Sequence, residues 1–287
     1  MNDIALHETY LDGLDEVYKK KSLTAILDTA VVDSKAQTGK KFKIDKMEIS
    51  GLADYDRSAG YAKGSVTITQ EEVDPDYDRG RIFEVDTMDD LETGYIAFGK
   101  LGAEFERRAV VPEQDALRFA KYAQKAGTKK QATITPENIM DEIAEAQAAL
   151  IDAEVPEDGN VFFTSSTVFG YLKNKAGNRF GTWSDTSINR NLVSFDGMPI
   201  VVVPAPRFTD GATRTEDGYA EGGKKINFMI VNKGAVAQYI KHHASNIISP
   251  EQNQSADAYM LKYRVYGLNH VYENKTKGIY VNTEAEA

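Results

Sequence analysis

The sequence predicts an α+β fold, and three features of its pattern support this prediction. Residues 130 to 245 alternate short apolar strands with short helices, which indicates one compact α+β or α/β layer structure. Residues 41 to 90 form an extended ribbon with no apolar core of its own. The last segment, from about residue 246, returns to strand-like alternation. With 287 residues, the chain is long enough to bury a sizeable core.

The ribbon contains three extended pieces. Lys41 to Ile49 alternates apolar and charged residues apart from a slip at Met47, and Ser65 to Glu72 and Arg81 to Val85 follow. An isolated two-stranded ribbon is marginally stable in water, so we expect this one to lie on another surface. A second copy of the same chain is the surface we predict.

Two turns compete for the tip of the ribbon. Ser58 to Gly64 and Asp74 to Gly80 both have turn chemistry, and the sequence does not choose between them. Residues 1 to 40, before the ribbon, have too few apolar residues for a core and are predicted to form an arm.

Three helices are predicted after the ribbon. An apolar stripe from Leu91 to Phe105 has helical spacing, although glycines interrupt it. The segment from Pro112 to Gly127 has proline in the first turn, acids near its start, lysines near its end and a glycine stop. Thr135 caps a further helix, which begins with Pro136 and continues to Leu150.

Short elements then alternate along the chain. The predicted strands are Asn160 to Thr164, Ile200 to Val203 and Ile226 to Val231. The predicted helices are Ser166 to Ala176 and a segment from about Ala235 to His242.

Composition excludes several classes of function. A net charge of −10 and a pI near 5.0 argue against nucleic acid as the main ligand. The absence of cysteine excludes disulfides and thiolate metal sites. The apolar runs are too short to span a bilayer, and the first residues lack the pattern of a cleaved signal peptide.

Catalytic and metal-binding motifs are also missing. The chain has no phosphate loop, nucleophile elbow, zinc helix or dinucleotide fingerprint. Asp74, Asp76 and Asp78 match the start of a calcium loop, but Arg79 and Val85 occupy the places of its glycine and glutamate. His242 and His243 are adjacent, which on a helix directs them about 100° apart. We therefore predict no catalytic, cofactor-binding or metal site.

Six stretches follow one another along the chain: GLADYDRSAGYAKG at residues 51–64, DRGRIFEVDTMDDLET at 78–93, RAVVPEQDALR at 108–118, DGMPIVVVP at 196–204, FMIVNKGAVA at 228–237 and YRVYGLNHVYENKTKGIYV at 263–281. In this order they resemble the major capsid proteins of tailed bacteriophages with the Hong Kong 97-type fold. Together they cover nearly the whole chain after about residue 40.

This resemblance implies an α+β capsid fold with five parts. They are an N-terminal arm (1–40), an extended β-hairpin loop (41–88), a peripheral domain with a long spine helix (89–129), an axial domain (130–245) and C-terminal strands that return to the peripheral domain (246–287). It also implies a non-enzymatic shell subunit that forms pentamers and hexamers in the virion and is assembled in the host cytoplasm. The implied partners are separate scaffolding, portal and decoration proteins, with double-stranded DNA enclosed without sequence-specific binding and no membrane.

The ribbon supplies the candidate contacts between subunits. Aspartates that alternate with arginines along a ribbon fit ion pairing to a neighbouring surface better than ion binding. The candidates are Tyr55, Asp56, Arg57, Lys63, Asp76, Asp78, Arg79 and Arg81. Two alternatives stay open: the shell of an encapsulin-type nanocompartment, which shares the fold, and a soluble enzyme that uses carboxylates of the 130–245 region.

Overall fold

The computed structural model describes residues 22–28, 42–58, 60–73, 75–92, 101–179 and 194–285. Four sheets organise the thirteen strands of this part of the chain. The strands are β1 (Phe42–Ile49), β2 (Val66–Val73), β3 (Tyr77–Asp86), β4 (Thr128–Gln131), β5 (Asn160–Ser165), β6 (Ser194–Phe195), β7 (Met198–Val203), β8 (Thr213–Thr215), β9 (Gly218–Ala220), β10 (Ile226–Asn232), β11 (Val236–Ile248), β12 (Ala258–Val271) and β13 (Ile279–Thr283). The helices are α1 (Thr87–Glu92), α2 (Leu101–Phe105), α3 (Val111–Lys125), α4 (Ile139–Asp152) and α5 (Ser166–Arg179).

The largest sheet has six strands in the order β4-β13-β10-β5-β7-β6. Its pairing is mixed, because β13 runs parallel to β4 and antiparallel to β10, while β5 runs parallel to β7. Parallel neighbours need a crossover connection, and α5 lies in the stretch of chain that joins β5 to β7. The alternation in the sequence therefore corresponds to a real β-α-β unit.

Helices cover both faces of this sheet. On one face, Phe119 of α3 makes edge-to-face ring contacts with Phe163 (5.1 Å between centroids) and with Phe208 (5.2 Å). On the other face, Phe228 stacks between Phe162 and Tyr280 under α4 and α5. Strands buried on both faces lack polar alternation, which explains why the sequence shows them as continuous apolar runs.

A second sheet places β12 between β11 and β3, with both pairs antiparallel. One of its faces packs against the segment that leads into α3. Phe105 of α2 meets Phe83 at 4.7 Å and Tyr263 at 5.3 Å between ring centroids. Because α2 continues through the π-helical turn Glu106–Val110 into α3, one long helical unit connects the two sheets.

The predicted helix from Pro112 to Gly127 is confirmed as α3, which ends at Lys125. Gly127 does more than stop the helix. A Cβ at this position would lie 2.7 Å from the backbone oxygen of Thr276, so only glycine allows this close approach.

The predicted helix from about Ala235 to His242 is wrong, because this stretch belongs to strand β11. Val236, Tyr239 and Ile240 have the spacing of a helical face, but pairing with β12 along the whole strand overrides that pattern. His242 and His243 consequently lie on a strand and point to opposite faces of the sheet.

The other predicted helices are confirmed in outline. Thr135 and Asn138 exchange reciprocal hydrogen bonds just before α4, and the helix itself begins at Ile139. The helix predicted from Ser166 extends to Arg179. Of the stripe from Leu91 to Phe105, residues 93–100 lie outside the described residues. No helix in the described ranges is long and apolar enough to cross a membrane.

Candidate assembly surface

Strands β1 and β2 form a two-stranded antiparallel sheet, called the hairpin below. Their register runs from Phe42 opposite Val73 to Ile49 opposite Val66. The turn therefore lies between Ile49 and Val66, and the backbone N–H of Ser50 donates to the oxygen of Ser65 at 3.0 Å to close it. Of the two candidate turns, Ser58 to Gly64 belongs to the tip, whereas residues 75 to 80 lie at the base, where the chain enters β3.

The tip has a defined local structure. Asp56 and Gly60 form an isolated bridge, and the side chain of Asp56 accepts hydrogen bonds from the Ser58 N–H at 2.7 Å and the Ser58 hydroxyl at 2.6 Å. Gly60 has a φ of +82°, a conformation that favours glycine. The rings of Tyr55 and Tyr61 meet edge to face at 4.8 Å. The tip is thus an ordered turn with exposed aromatic rings.

The hairpin has two different faces. In an antiparallel pair, directly opposed residues point to the same side, so Met47 and Ile68 share one face with Ile49 and Val66. These four side chains, called the outer apolar face below, are 58%, 60%, 67% and 62% exposed, respectively. The opposite face turns towards the body near the base, where Val73 is 4% exposed.

The sequence contained a signal for this surface. The apolar residues change from even to odd positions at Met47, which appeared as a slip in the alternation of β1. A one-residue change of phase moves apolar side chains to the other face of a strand. The slip therefore marks where the hairpin stops facing its own chain and begins to present apolar residues outward.

The eight candidate contact residues fall into two groups. Tyr55, Asp56, Arg57 and Lys63 all lie on the tip and are exposed. The other four lie at the base and in β3, where each forms an ion pair within the chain. These pairs are Asp76 with Lys121 (2.7 Å), Asp78 with Arg264 (2.7 Å), Arg79 with Glu113 (2.9 Å) and Arg81 with Asp217 (2.8 Å).

Ion pairing also affects two acids outside the 130–245 region of the enzyme alternative. Hydrogen bonds from Arg264 lower the pKa of Asp78, and Lys46 in the same way lowers the pKa of Glu273. A general acid at neutral pH needs a carboxyl group whose pKa is raised, so these two acids do not suit that role. Within the described ranges, no group of three or more metal-ligating side chains is present; Asp74 lies outside those ranges.

A short segment of the predicted arm, Ser22–Asp28, is attached to α3. The buried carboxylate of Asp115 accepts hydrogen bonds from the backbone N–H of Leu23 at 3.0 Å and from the hydroxyl of Thr24 at 2.8 Å. Arg207 donates to the same carboxylate at 3.1 Å. Leu27 is 1% exposed and joins the core beneath α3. Buried hydrogen bonds and apolar contacts therefore hold this segment against α3. The sparse apolar pattern of the arm did not predict this attachment.

Comparison with known proteins gives structural matches alone. No family model and no curated protein matches the sequence. A solved structure described as Mycobacterium phage Che8 is 16% identical with a TM-score of 0.71, and the match covers 98% of each chain. The asymmetric unit of the bacteriophage PhiM1 mature capsid is 13% identical with a TM-score of 0.75, covering 99% of this chain and 93% of that one. The capsid of cyanophage P-SCSP1u is 12% identical with a TM-score of 0.72, covering 99% and 94%.

These matches extend over almost the full length of the chains compared. They confirm the predicted fold class, an α+β fold of the Hong Kong 97-like type found in phage capsids. All three structures come from phages, so they lend no support to the nanocompartment alternative.

Proposed function

We propose that this chain is a structural shell subunit, the major capsid protein of a tailed phage or prophage, and not an enzyme. The fold likeness to capsid chains over nearly the full length supports this proposal. The outer apolar face is the single observation in the structure that most directly supports assembly with other copies. Four large apolar side chains at about 60% exposure on one face of a thin ribbon favour burial against another surface.

A neighbouring copy of the chain is the proposed partner for the outer apolar face. Closed shells repeat one heterologous contact around five- and sixfold rings, so each hairpin meets the same neighbouring surface. Burying apolar area stabilises such a contact by about 25 cal/mol per Å². Because every subunit both gives and receives a hairpin, many modest contacts add up to a stable particle.

The eight candidate residues extend this proposed contact. Tyr55, Asp56, Arg57 and Lys63 would reach the neighbour directly from the tip. Asp78 and Arg81 keep 47% and 44% of their side chains exposed despite their ion pairs, so they could make contacts at the margin. Asp76 and Arg79, which are about one-third exposed, would contribute the least.

We propose the same division of the chain as above: arm 1–40, extended loop 41–88, peripheral domain 89–129, axial domain 130–245 and C-terminal strands 246–287. The hydrogen bonds of β3 and β11 to β12 support direct contact of the extended loop and of the end of the axial domain with the C-terminal strands. Scaffolding, portal and decoration proteins would be separate chains. The acidic chain would enclose DNA without sequence-specific contacts after assembly in the host cytoplasm.

Assembly of the purified chain tests the proposal. We expect closed particles by sedimentation velocity and negative-stain microscopy, with scaffolding protein supplied where needed. Ile68→Lys places a charge on the outer apolar face and should leave only small species. Thr67→Lys makes the same change on the opposite face of the same strand, beside Glu48, and should assemble as the unaltered chain does.

Thermal unfolding of both variants should match that of the unaltered chain, because positions 67 and 68 are exposed in the single subunit. A homogeneous small oligomer of the unaltered chain under all conditions would contradict the proposal. Equal assembly of the two variants would contradict the assignment of the outer apolar face.

A further inference from the structure

One end of the six-stranded sheet brings together three loops that are far apart in sequence. Strand β10 ends here at Asn232, while β5 and β13 begin beside it. The side-chain amide of Asn232 donates hydrogen bonds to the backbone oxygens of Pro156 at 2.9 Å and Asp158 at 3.2 Å. A Cβ on Gly278 would lie 3.0 Å from the Cβ of Ala235. The loops in contact are therefore 153–159, Lys233–Ala235 and Glu273–Gly278.

These loops carry two groups of opposite charge, which together are called the rim below. The basic half has three lysines and the acidic half three carboxylates, all of them exposed: Lys233, Lys275 and Lys277, and Glu154, Glu157 and Asp158. The halves lie side by side, because the backbone N–H of Lys233 donates to the oxygen of Gly159 at 3.0 Å. Within the described part of the chain, none of the six side chains lies at ion-pair distance from an opposite charge.

Lysines at other places in the fold show that acidic partners are available. The sequence has 44 acidic and 34 basic residues, so carboxylates are in excess. Lys121 accordingly lies 2.7 Å from Asp76, and Lys130 lies 2.6 Å from Glu145. The rim differs from these places, because lysines and acids without ion-pair partners are neighbours on one surface.

Glu154 occupies a position where glycine is usual. Helix α4 ends with the backbone N–H of Val155 donating to the oxygen of Leu150 at 3.0 Å and that of Glu154 donating to Ile151 at 2.9 Å, which is the Schellman pattern. Glu154 has a φ of +58°, in the left-handed region that favours glycine. Folding of the single chain favours glycine here, so a contact outside that chain better explains the glutamate.

A cavity of about 240 Å³ lies between the two halves of the rim. Glu154 lines it on one side and Lys275 and Lys277 on the other. A lysine side chain suits such a cavity, because its alkyl stem packs on small apolar residues while its ammonium group reaches a carboxylate. The small residues in the wall are Ala153, Gly234, Ala235 and Gly278.

We propose that the rim is a contact between two copies of the chain related by a two-fold axis, in which the basic half of each copy meets the acidic half of the other. The proposal rests on the proposed function, because the two copies are neighbours in the proposed shell. Three positive and three negative charges match in number. A surface that carries both signs side by side is complementary to itself in this arrangement.

A second copy fits the rim better than a nucleic acid does. The three carboxylates repel the phosphate groups of DNA and cancel the charge of the three lysines over the rim as a whole. Exposed ion pairs contribute little each, so the rim determines which surfaces meet more than it supplies affinity. Salt should weaken the contact by screening these charges.

Zero-length crosslinking tests the contact whether or not particles form. A carbodiimide joins a lysine amine to a carboxylate through an amide bond and takes up the released water to become a urea. In an equal mixture of isotopically heavy and light chains, we expect mixed-isotope links between the basic and acidic halves. Lys262, which is exposed on β12, is the control and should give no such link to the acidic half. Rim links confined to one isotope, or no rim links, would overturn the contact.

Charge reversal tests the complementarity of the halves. One variant carries Lys233→Glu, Lys275→Glu and Lys277→Glu, and a second carries Glu154→Lys, Glu157→Lys and Asp158→Lys. Each places like charges opposite one another, so we expect the loss of closed particles. The chain with all six changes keeps the net charge of −10 and should assemble as the unaltered chain does. Thermal unfolding verifies that each variant stays folded.

Two results of this series would contradict the contact. One is equal assembly of both three-fold variants and the unaltered chain, and the other is no recovery in the chain with all six changes. A labelled DNA duplex examines the competing occupant. Binding that is lost with the three lysines, in a chain that gives no mixed-isotope rim links, would assign the lysines to phosphate and overturn the contact.

Failure of the contact and failure of the proposed function are distinguishable. If closed particles form without mixed-isotope rim links, the shell function stands and the rim contact is wrong. If mixed-isotope rim links form while no particles appear under any condition, the contact stands and the shell function is wrong.

Discussion

The six-stranded sheet and the hairpin are built from similar strands but meet opposite surroundings. In the sheet, Phe163 and Met229 lie opposite each other, and both are completely buried. In the hairpin, Met47 and Ile68 also lie opposite each other, yet both remain more than half exposed. Helices of the same chain cover the sheet, whereas no described element covers the outer apolar face.

This difference separates apolar residues that stabilise the single chain from apolar residues that remain available for the proposed assembly. An apolar face on paired strands is stable when another surface covers it. The burial of that face in the single chain shows whether the same chain supplies the covering surface. The sheet is complete within one copy, so its residues determine folding. The hairpin is incomplete within one copy, so its residues should determine association.

The largest expected effect separates these two roles by truncation. Phe163→Ala should lower the free energy of unfolding by about 3–5 kcal/mol, because a buried aromatic ring leaves a cavity. Ile68→Ala, on a side chain that is 60% exposed, should change it by less than about 0.5 kcal/mol. Urea unfolding of the unassembled chain measures both values. A large loss for Ile68→Ala would mean that the hairpin is covered within its own chain.

A middle-sized effect compares close backbone contacts in the three-stranded sheet, which is also covered within the chain, with those in the hairpin. A Cβ on Gly80 of β3 would lie 2.8 Å from the backbone oxygen of Tyr263, so Gly80→Ala should cost about 1–3 kcal/mol through strain in the β3–β12 pairing. Gly51, near the hairpin tip, has no atom within 4 Å of such a Cβ. Gly51→Ala should leave the unfolding midpoint nearly unchanged, and the same urea titration compares the two. Equal midpoints would show that β3 tolerates displacement.

The smallest effect concerns a hydroxyl group inside the sheet. Tyr280 is buried and its hydroxyl has no hydrogen-bond partner among the described residues, so Tyr280→Phe should stabilise the fold by up to about 1 kcal/mol at neutral pH or leave it unchanged. Tyr122→Phe removes a hydrogen bond to Gln238 and should cost about 0.5–1.5 kcal/mol. Thermal unfolding measures both changes: the unfolding midpoint should rise or stay the same for Tyr280→Phe and should fall for Tyr122→Phe.

Alkaline pH extends this last comparison. Burial raises the pKa of Tyr280 to about 12, so the folded chain holds this proton more tightly than the unfolded chain does. Its contribution to stability is complete below the ordinary tyrosine pKa of about 10 and is lost as the pH rises towards 12. Tyr280→Phe should therefore lose less stability over this range. An identical alkaline loss in both chains would place the responsible proton elsewhere.

The sequence predicted much of the sheet and α3 because their signals are local. Strong apolar runs at β5, β7 and β10, and the proline, charge and glycine pattern of α3, agree with their final surroundings. The helix predicted in the region of β11 is wrong because pairing with the next strand, β12, overrides the helix-like spacing of the apolar residues. The paired residues are 12 to 35 positions apart, so a short sequence window does not contain both partners.

The eight candidate contact residues stay a prediction. The pattern of the ribbon points to its charged residues, whereas Asp76 and Arg79 pair within the chain with Lys121 and Glu113 of α3. The apolar residues that distinguish the outer face were present as a phase slip at Met47. Their meaning required the register of β1 and β2, because only the pairing shows which side chains share a face.

Strand β13 has a consequence for the order of events during synthesis. It lies inside the six-stranded sheet, between β4 and β10, yet it comes from residues 279–283. A growing chain that already carries β4, β5, β7 and β10 still lacks the strand that joins β4 to the rest. Closure of this sheet depends on contacts between residues about 150 positions apart, which makes folding slow relative to local helix formation.

An incomplete chain on the ribosome therefore cannot present a finished body, even when its hairpin has already been made. Exposed apolar strands in such intermediates are prone to premature association. Late insertion of β13 delays the formation of a rigid subunit until nearly all of its neighbours in the sheet exist. The topology therefore delays completion of the largest sheet, so that folding of one copy is separated in time from its association with the next copy.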